Sequence, residues 1–430
     1  MSAPGAGPGA TRGAHRFAGT RAGLIAGLAA VAIISQFFRS SIAVIAPELI
    51  AELALSAQAL GLAGGMFFLA LGVSQVPVGM AFDRIGPRLT LAAVSVFALA
   101  GTVVVATAAD GAQLIVGRFL LGLGCGASFI SGVVLLGRWY PPDRIATLYG
   151  LVFAISQLGN LMAATPLAWL SASVGWRAVF WASGAVLVGI VAFFVWVVRD
   201  QPPGQAPLAH RGESLWQTLA GFAKVWRIPG YRRVVAVHTV AYAAMATVLG
   251  LWAGPYLHDV HGLDGVARGN VLLAMVAAQT AGMLLMPPLE RRFDSRKRVI
   301  LGAAGTVVAI LLALALLPAP PLWLAVLLLV GICGFSCYGP IIIAHAAALT
   351  PPLLRGRSSA AANLGQVSGS FLLPVGCGLI AGFFGDGGAG YPPHAYRLIF
   401  GFIALALVTG ALVYSRVRDL RPGEAPPGSG

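Results

Sequence analysis

The sequence is poor in charge. Asp, Glu, Lys and Arg make up 10% of its 430 residues, against 58% hydrophobic. A water-soluble fold of this length could not hide that much apolar surface, so lipid must be the solvent for most of the chain. Acids are the scarcest: 14 Asp and Glu stand against 28 Lys and Arg, a net charge of +14. No acid lies well inside any apolar run, so a cation or a metal there would find no counter-charge. Cysteine is rare too. Cys125, Cys333, Cys337 and Cys377 all sit in apolar runs without ligand-like neighbours, and they read as small buried residues rather than a thiol or metal centre. The sequence has no nucleotide-binding glycine loop, no metal cluster and no nucleophile beside a base. Enzyme chemistry and cofactors are therefore not expected. The period-two alternation of a membrane barrel is missing as well.

What the chain does have is long apolar runs. A bilayer core about 30 Å thick needs ~20 apolar residues per helix. Twelve such runs occur, at 23–47, 59–82, 89–109, 112–136, 145–169, 177–198, 234–257, 267–289, 298–317, 321–349, 358–383 and 396–415. The first is too long for a signal peptide and no cleavage site follows it. The expected organisation is a disordered cytoplasmic tail (1–21), a six-helix bundle (22–198), a cytoplasmic linker (199–233), a second six-helix bundle (234–416) and a second tail (417–430). In the linker, SLWQTLAGFAKVWR (214–227) reads either as an amphipathic helix on the membrane surface or as a plain linker helix.

The distribution of basic residues sets the orientation. With the N-terminus inside, every Lys and Arg except Arg39, Arg118, Arg177, Arg268 and Arg397 falls in a tail or an inner loop. This is the positive-inside bias, and it predicts both termini in the cytoplasm. The positive net charge is thus a topology signal, and no nucleic-acid partner is expected.

The two halves resemble each other. DRIGPR (83–88) and RRFDSR (291–296) are 208 residues apart, as are the starts of APELIAEL (46–53) and GPYLHDVHGL (254–263). GLGCG (122–126) and GICGF (331–335) are 209 apart, and Pro141-Pro142 and Pro351-Pro352 are 210 apart. GWRAVF (175–180) and AYRLIF (395–400) are 220 apart. Five weak matches in one order, at nearly constant spacing, indicate a tandem repeat. With an even number of helices per copy, the repeat is parallel.

The loop PVGMAFDRIGPRLTL (77–91) carries Gly79, Asp83, Arg84, Gly86 and Arg88 at the spacing of a known signature. It resembles that of the major facilitator superfamily. GRFLLGLGCG (117–126), with Arg118, Gly122 and Gly126, is similar to the family's fourth-helix motif, and the resemblance runs from about residue 22 to 416. It implies an all-α polytopic membrane fold of twelve transmembrane helices in two six-helix parallel pseudo-repeats. It also implies gating or coupling roles for the five loop residues and Arg118. Gly79 would permit close helix contact. Asp83 would accept from helix N-terminal amides or from an arginine across the seam between halves. Gly86 would allow a tight turn. The second copy keeps Arg292 and Arg296 but has Arg291 where the first has Asp83. Helix five, ISQLGNLMAATPLAW (155–169), lacks the Gly-Pro motif of drug/proton antiporters, and its Gly159-Asn160 pair resembles nitrate/nitrite porters.

In such a fold the solute sits near the midplane between the halves. The polar residues near that depth include Gln75, and the candidate substrate contacts among them are Gln36, Arg39, Gln157, Asn160, Tyr242, Gln279, Tyr338, Asn363 and Gln366. Gln36, Arg39, Ser40 and Ala43 share one helix face. A guanidinium fork suits a carboxylate or phosphate. At the 208-residue offset the partner of Arg39 is Thr247, not a second arginine, which suits a singly charged anion. The competing reading for Arg39 is structural, with backbone carbonyls as partners, and each amide could equally bridge helices. His238 and His345 are either proton relays or satisfied interfacial histidines. Protons could travel on a substrate acid or through a histidine or Glu48, or take no part. The expected function is uptake of a small organic monoanion across the bacterial inner membrane by a multi-pass, monomeric, alternating-access permease. An efflux pump and a transporter-like sensor are the alternatives.

Overall fold

A computed structural model describes residues 20–202, 223–351, 354–385 and 390–420. Among them, twelve helices are long and apolar enough to cross a bilayer, and no strand forms. In chain order they are α1 (Arg21–Leu53), α2 (Ala57–Arg84), α3 (Pro87–Ala106), α4 (Gly111–Cys125 and Ala127–Trp139), α5 (Pro142–Met162 and Thr165–Val174) and α6 (Trp176–Val197). The second set is α7 (Tyr231–Asp259), α8 (Gly265–Phe293), α9 (Arg296–Leu316), α10 (Leu322–Phe335 and Gly339–Ala348), α11 (Arg355–Gly382) and α12 (Pro393–Ser415). Most of 214–227, the stretch read as an amphipathic or linker helix, lies outside the described residues; 223–226 are helical.

Several helices begin beyond the apolar run that marks them. The reason is polar capping, which hydropathy does not register. The Thr20 hydroxyl accepts from Gly23 N at 3.1 Å, the Asp264 carboxylate from Ala267 N at 2.7 Å and the Ser295 hydroxyl from Arg298 N at 3.0 Å. Each satisfies an N–H that the first helical turn leaves unpaired. One turn of α7, Val248–Trp252, is π-helical.

The repeat in the sequence is a repeat in space. The Asp200 carboxylate, at the end of α6, accepts from Arg88 N at the start of α3 (2.8 Å). Asp419, past the end of α12, accepts from Lys297 N at the start of α9 (3.1 Å). Arg88 Nε donates to Val195 O of α6 and Arg296 Nη1 to Leu420 O in the segment that follows α12, so the two arginines hold corresponding ends of their bundles. Gly86 has φ +85°, and Asp294, 208 residues on, has φ +45°. The turns differ, since Gly86 has ψ 156° whereas Asp294 has ψ 37°, in the left-handed helical region that Asp is among the few residues to enter readily.

Twelve spans put both chain ends on one side of the bundle, here called the terminal face; the opposite side is the far face. The halves meet closely toward the far face. Gly254 of α7 lies against α1, where an added Cβ would be 1.8 Å from Ala43 O. Beside it, the Thr165 hydroxyl of α5 donates to Asn270 Oδ1 of α8 at 2.8 Å. The contact of α2 with α11 reaches the middle of both helices at Gly72 and Val367. Beyond it, a Cβ added at Gly79 or at Gly356 would meet nothing within 4 Å. The expected close packing at Gly79 is therefore not found. The helices have separated by that depth, and Gly72 makes the contact instead. Large apolar side chains such as Leu284, Leu285, Trp323 and Phe383 are exposed on the bundle's flanks, as a lipid-facing surface requires.

Candidate functional site

The site is built on α1 and α5, which pack closely. A Cβ added at Gly159 would lie 2.0 Å from Ile33 O, so only glycine lets the two backbones approach this far. The flanking amides then reach α1. Gln36 Nε2 donates to Gln157 Oε1 at 2.8 Å, the Ser40 hydroxyl donates to Asn160 Oδ1 at 2.7 Å, and Asn160 Nδ2 donates back to Gln157 Oε1 at 3.3 Å. Gln36 Oε1 and Gln157 Nε2 remain buried without a protein partner. A half-satisfied amide pair in an apolar bundle is costly, which suits a site that takes up a polar ligand.

Arg39 lies on the same face of α1 and reaches across the seam, where Nη1 donates to the Tyr242 hydroxyl of α7 at 3.1 Å. Its guanidinium carbon is 5.7 Å from the Phe68 ring centroid and 5.5 Å from that of Phe129. These aromatic faces stabilise the cation without neutralising it. Arg39 Nε is buried and unpartnered. Three ion pairs form among the described residues, and none includes Arg39. The site therefore presents a fixed positive charge, a phenol and neutral amides, with no carboxylate.

Arg118 behaves differently. It is 1% exposed, and its nitrogens donate to Phe38 O at 2.5 Å, Ala63 O at 3.2 Å and Arg39 O at 3.5 Å, with its guanidinium carbon 4.7 Å from the Phe67 ring centroid. It clamps the backbone of α1 and α2, including the turn that carries Arg39. The backbone-carbonyl reading that competed for Arg39 thus describes Arg118.

The other candidates divide. Gln279 and Tyr338 lie together where α8 meets α10, since the Cys337 thiol donates to Gln279 O at 3.2 Å. Gln279 Oε1 and the Tyr338 hydroxyl are buried without partners. Asn363 and Gln366 are half-buried on α11. Gln366 lies beside His238, whose two ring nitrogens lack hydrogen-bond geometry. Among the described residues, no hydrogen bond links these four candidates to Arg39. His345 is satisfied at both nitrogens, by the Tyr414 hydroxyl (2.7 Å) and Arg418 O (3.1 Å), which makes it structural. Gln75 turns back onto Leu71 O of its own helix. Of the loop motif, Arg88 is anchored to α6 as described, Gly86 holds the positive-φ turn, and Asp83 and Arg84 are exposed on the terminal face. Sequence reasoning did not find Phe68 and Phe129, because apolar aromatics in an apolar helix carry no local signal. Arg268 stood out in the sequence only as a basic residue outside the tails and inner loops.

Comparison with known proteins agrees with this architecture. A "Probable sulfoacetate transporter SauU" of Cupriavidus necator is 24% identical over 298 residues, covering 63% of this chain and 67% of that protein. A "Probable L-galactonate transporter" of Escherichia coli is 25% identical over 418 residues, covering 89% of this chain and 86% of that protein. Among solved structures, a bacterial homologue of the human lysosomal transporter Spinster, in an inward-facing, occupied conformation, shares the fold. Its TM-score is 0.75 at 17% identity, over 92% of this chain and 96% of that one. The sequence signature described as "Major Facilitator Superfamily" matches residues 28–374. The twelve-helix fold, the loop and fourth-helix motifs and this match together make the chain a member of the major facilitator superfamily, a multi-pass membrane transporter of small solutes and not an enzyme.

Proposed function

We propose that the chain carries a small organic monoanion by alternating access, with Arg39 as the group that binds the anionic end. The carrying observation is that Arg39 bonds across the seam to Tyr242, sits between two aromatic rings and has no carboxylate partner. A cationic solute would meet repulsion there, whereas a carboxylate or sulfonate can take two parallel hydrogen bonds from the fork. The named solutes of the two relatives, sulfoacetate and L-galactonate, are organic anions. Gln36, Gln157, Asn160 and Tyr242 would hold the uncharged part of the solute, and Gln279, Tyr338, Asn363 and Gln366 would line the same path from the other bundle.

In this reading 22–198 and 234–416 are the two moving bundles, 199–233 joins them, and the terminal face is cytoplasmic, as the basic loops imply for a bacterial inner membrane. Close contact on the far face and separation beyond Gly72 and Val367 give a state open to the cytoplasm. Asp83 would close the terminal face in the opposite state by accepting from the start of α11. Protons, if coupled, would travel with the solute or through Glu48 or His238.

The test is current recording from proteoliposomes on a solid-supported membrane. Monocarboxylates, sulfonates, phosphate esters, inorganic anions, cations and neutral sugars are compared at two pH values. The parent protein should respond to an organic monoanion and Arg39→Ala should not, with its thermal midpoint preserved. Currents from cations or neutral solutes alone would falsify the reading.

A further inference from the structure

Arg268 takes no part in the Arg39 site, and yet it is among the largest fully buried side chains, at 2% exposed on the opening turns of α8. Nη2 donates to Val44 O at 3.2 Å and to the Glu48 carboxylate, both on α1 of the other bundle. Nε is buried with no partner. The Glu48 side chain is 43% exposed, so it joins the buried cation to the mouth of the far face. The pair joins the two bundles. The Gly254–Ala43 approach and the Thr165–Asn270 bond flank it, so parting α1 from α8 must part the pair.

The position along α1 adds a second point. Val44 and Glu48 follow Arg39 by five and nine residues, or ~7.5 Å and ~13.5 Å at 1.5 Å rise per residue. Arg268 thus lies beyond Arg39 toward the far face, on the seam between the bundles. Its Nη2 is already engaged by a carboxylate, while Nε is unused. Removing Glu48 alone would leave a buried, unpaired cation, a strongly unfavourable state. Replacing its carboxylate with that of a solute keeps the charge paired.

We infer that Arg268 and Glu48 form the far-face gate, and that Glu48 is a tethered stand-in for the solute's anionic group, which takes its place on Arg268 when the gate parts. The exchange rests on the anion reading above; the gate itself does not.

The experiment uses a Thr165→Cys/Asn270→Cys pair, placed where the native side-chain oxygens are 2.8 Å apart. Its initial rate of oxidative crosslinking reports far-face closure without any solute. Glu48→Gln, a near-isosteric change at a half-exposed side chain, should slow crosslinking at least threefold. It should also lower at least threefold the far-side KM for the monocarboxylate giving the largest current. Arg268→Lys, which keeps the charge but loses the fork, should slow crosslinking and raise that KM. An unchanged crosslinking rate in Glu48→Gln overturns the gate. An unchanged or raised KM in that variant overturns the exchange. Because crosslinking needs no solute, the gate can fail while the Arg39 reading stands, and the reverse also holds.

Discussion

Arg39 and Arg118 are two guanidiniums within the membrane span, and their neighbours assign them different work. Arg118 spends its donors on three backbone carbonyls, whereas Arg39 has one phenol and two ring faces. Arg118→Met should therefore act on stability. Each charge-assisted bond to a carbonyl contributes roughly 1.5–3 kcal/mol, so the thermal midpoint in detergent should fall clearly. Arg39→Lys should leave that midpoint near the parent's and instead raise the KM for the anion. A lysine keeps the charge and loses the bidentate geometry, and the loss of about one such bond corresponds to roughly a tenfold rise. If Arg39→Lys lost stability and kept its KM, the two assignments would be reversed.

At the scale of helices, close approach is decided by single glycines, and not every glycine of a motif takes part. Gly159→Ala would set a Cβ 2.0 Å from Ile33 O and push α5 away from α1. Overpacking of this kind costs about 1–3 kcal/mol. Because Gln157 and Asn160 flank the contact, anion affinity should fall along with stability, as thermal shift and current amplitude would record. Gly79→Ala meets nothing within 4 Å, so the thermal midpoint of this state should hold or rise slightly. The paired caps give a third check. Asp200→Ala and Asp419→Ala each remove an acceptor from a helix start and should each cost about 1 kcal/mol. The Asp419 change should be the larger, because that carboxylate also accepts from the Ser295 hydroxyl.

For the whole molecule, the proposed alternating-access cycle takes the closed far face and the exposed Asp83 as one of its two states. Asp83→Asn should leave anion binding to this state intact, since Asp83 is exposed here, and should slow turnover by weakening closure of the terminal face. Equilibrium binding and counterflow rate, measured on the same preparation, separate the two effects; a loss of binding would count against the reading. In that proposed cycle Gly79 would pack in the opposite state, which fits the open space beside it here.

Hydropathy, spacing and charge bias are properties of short stretches, so the sequence by itself determined the twelve spans, the tandem repeat and the superfamily. It also determined that Arg39 is a cation without a twin, because Thr247 stands at the repeat position. The grouping of Gln36, Arg39, Gln157, Asn160 and Tyr242 was legible only as a list of polar residues at one depth. The tertiary structure decided which of them touch, that Phe68 and Phe129 flank the cation, that His345 is satisfied, and that Arg268 is buried against Glu48. Those outcomes depend on partners on other helices, usually more than 50 residues away in the chain. The energy of a buried polar group is set by the atoms around it, and no local pattern in the sequence names those atoms.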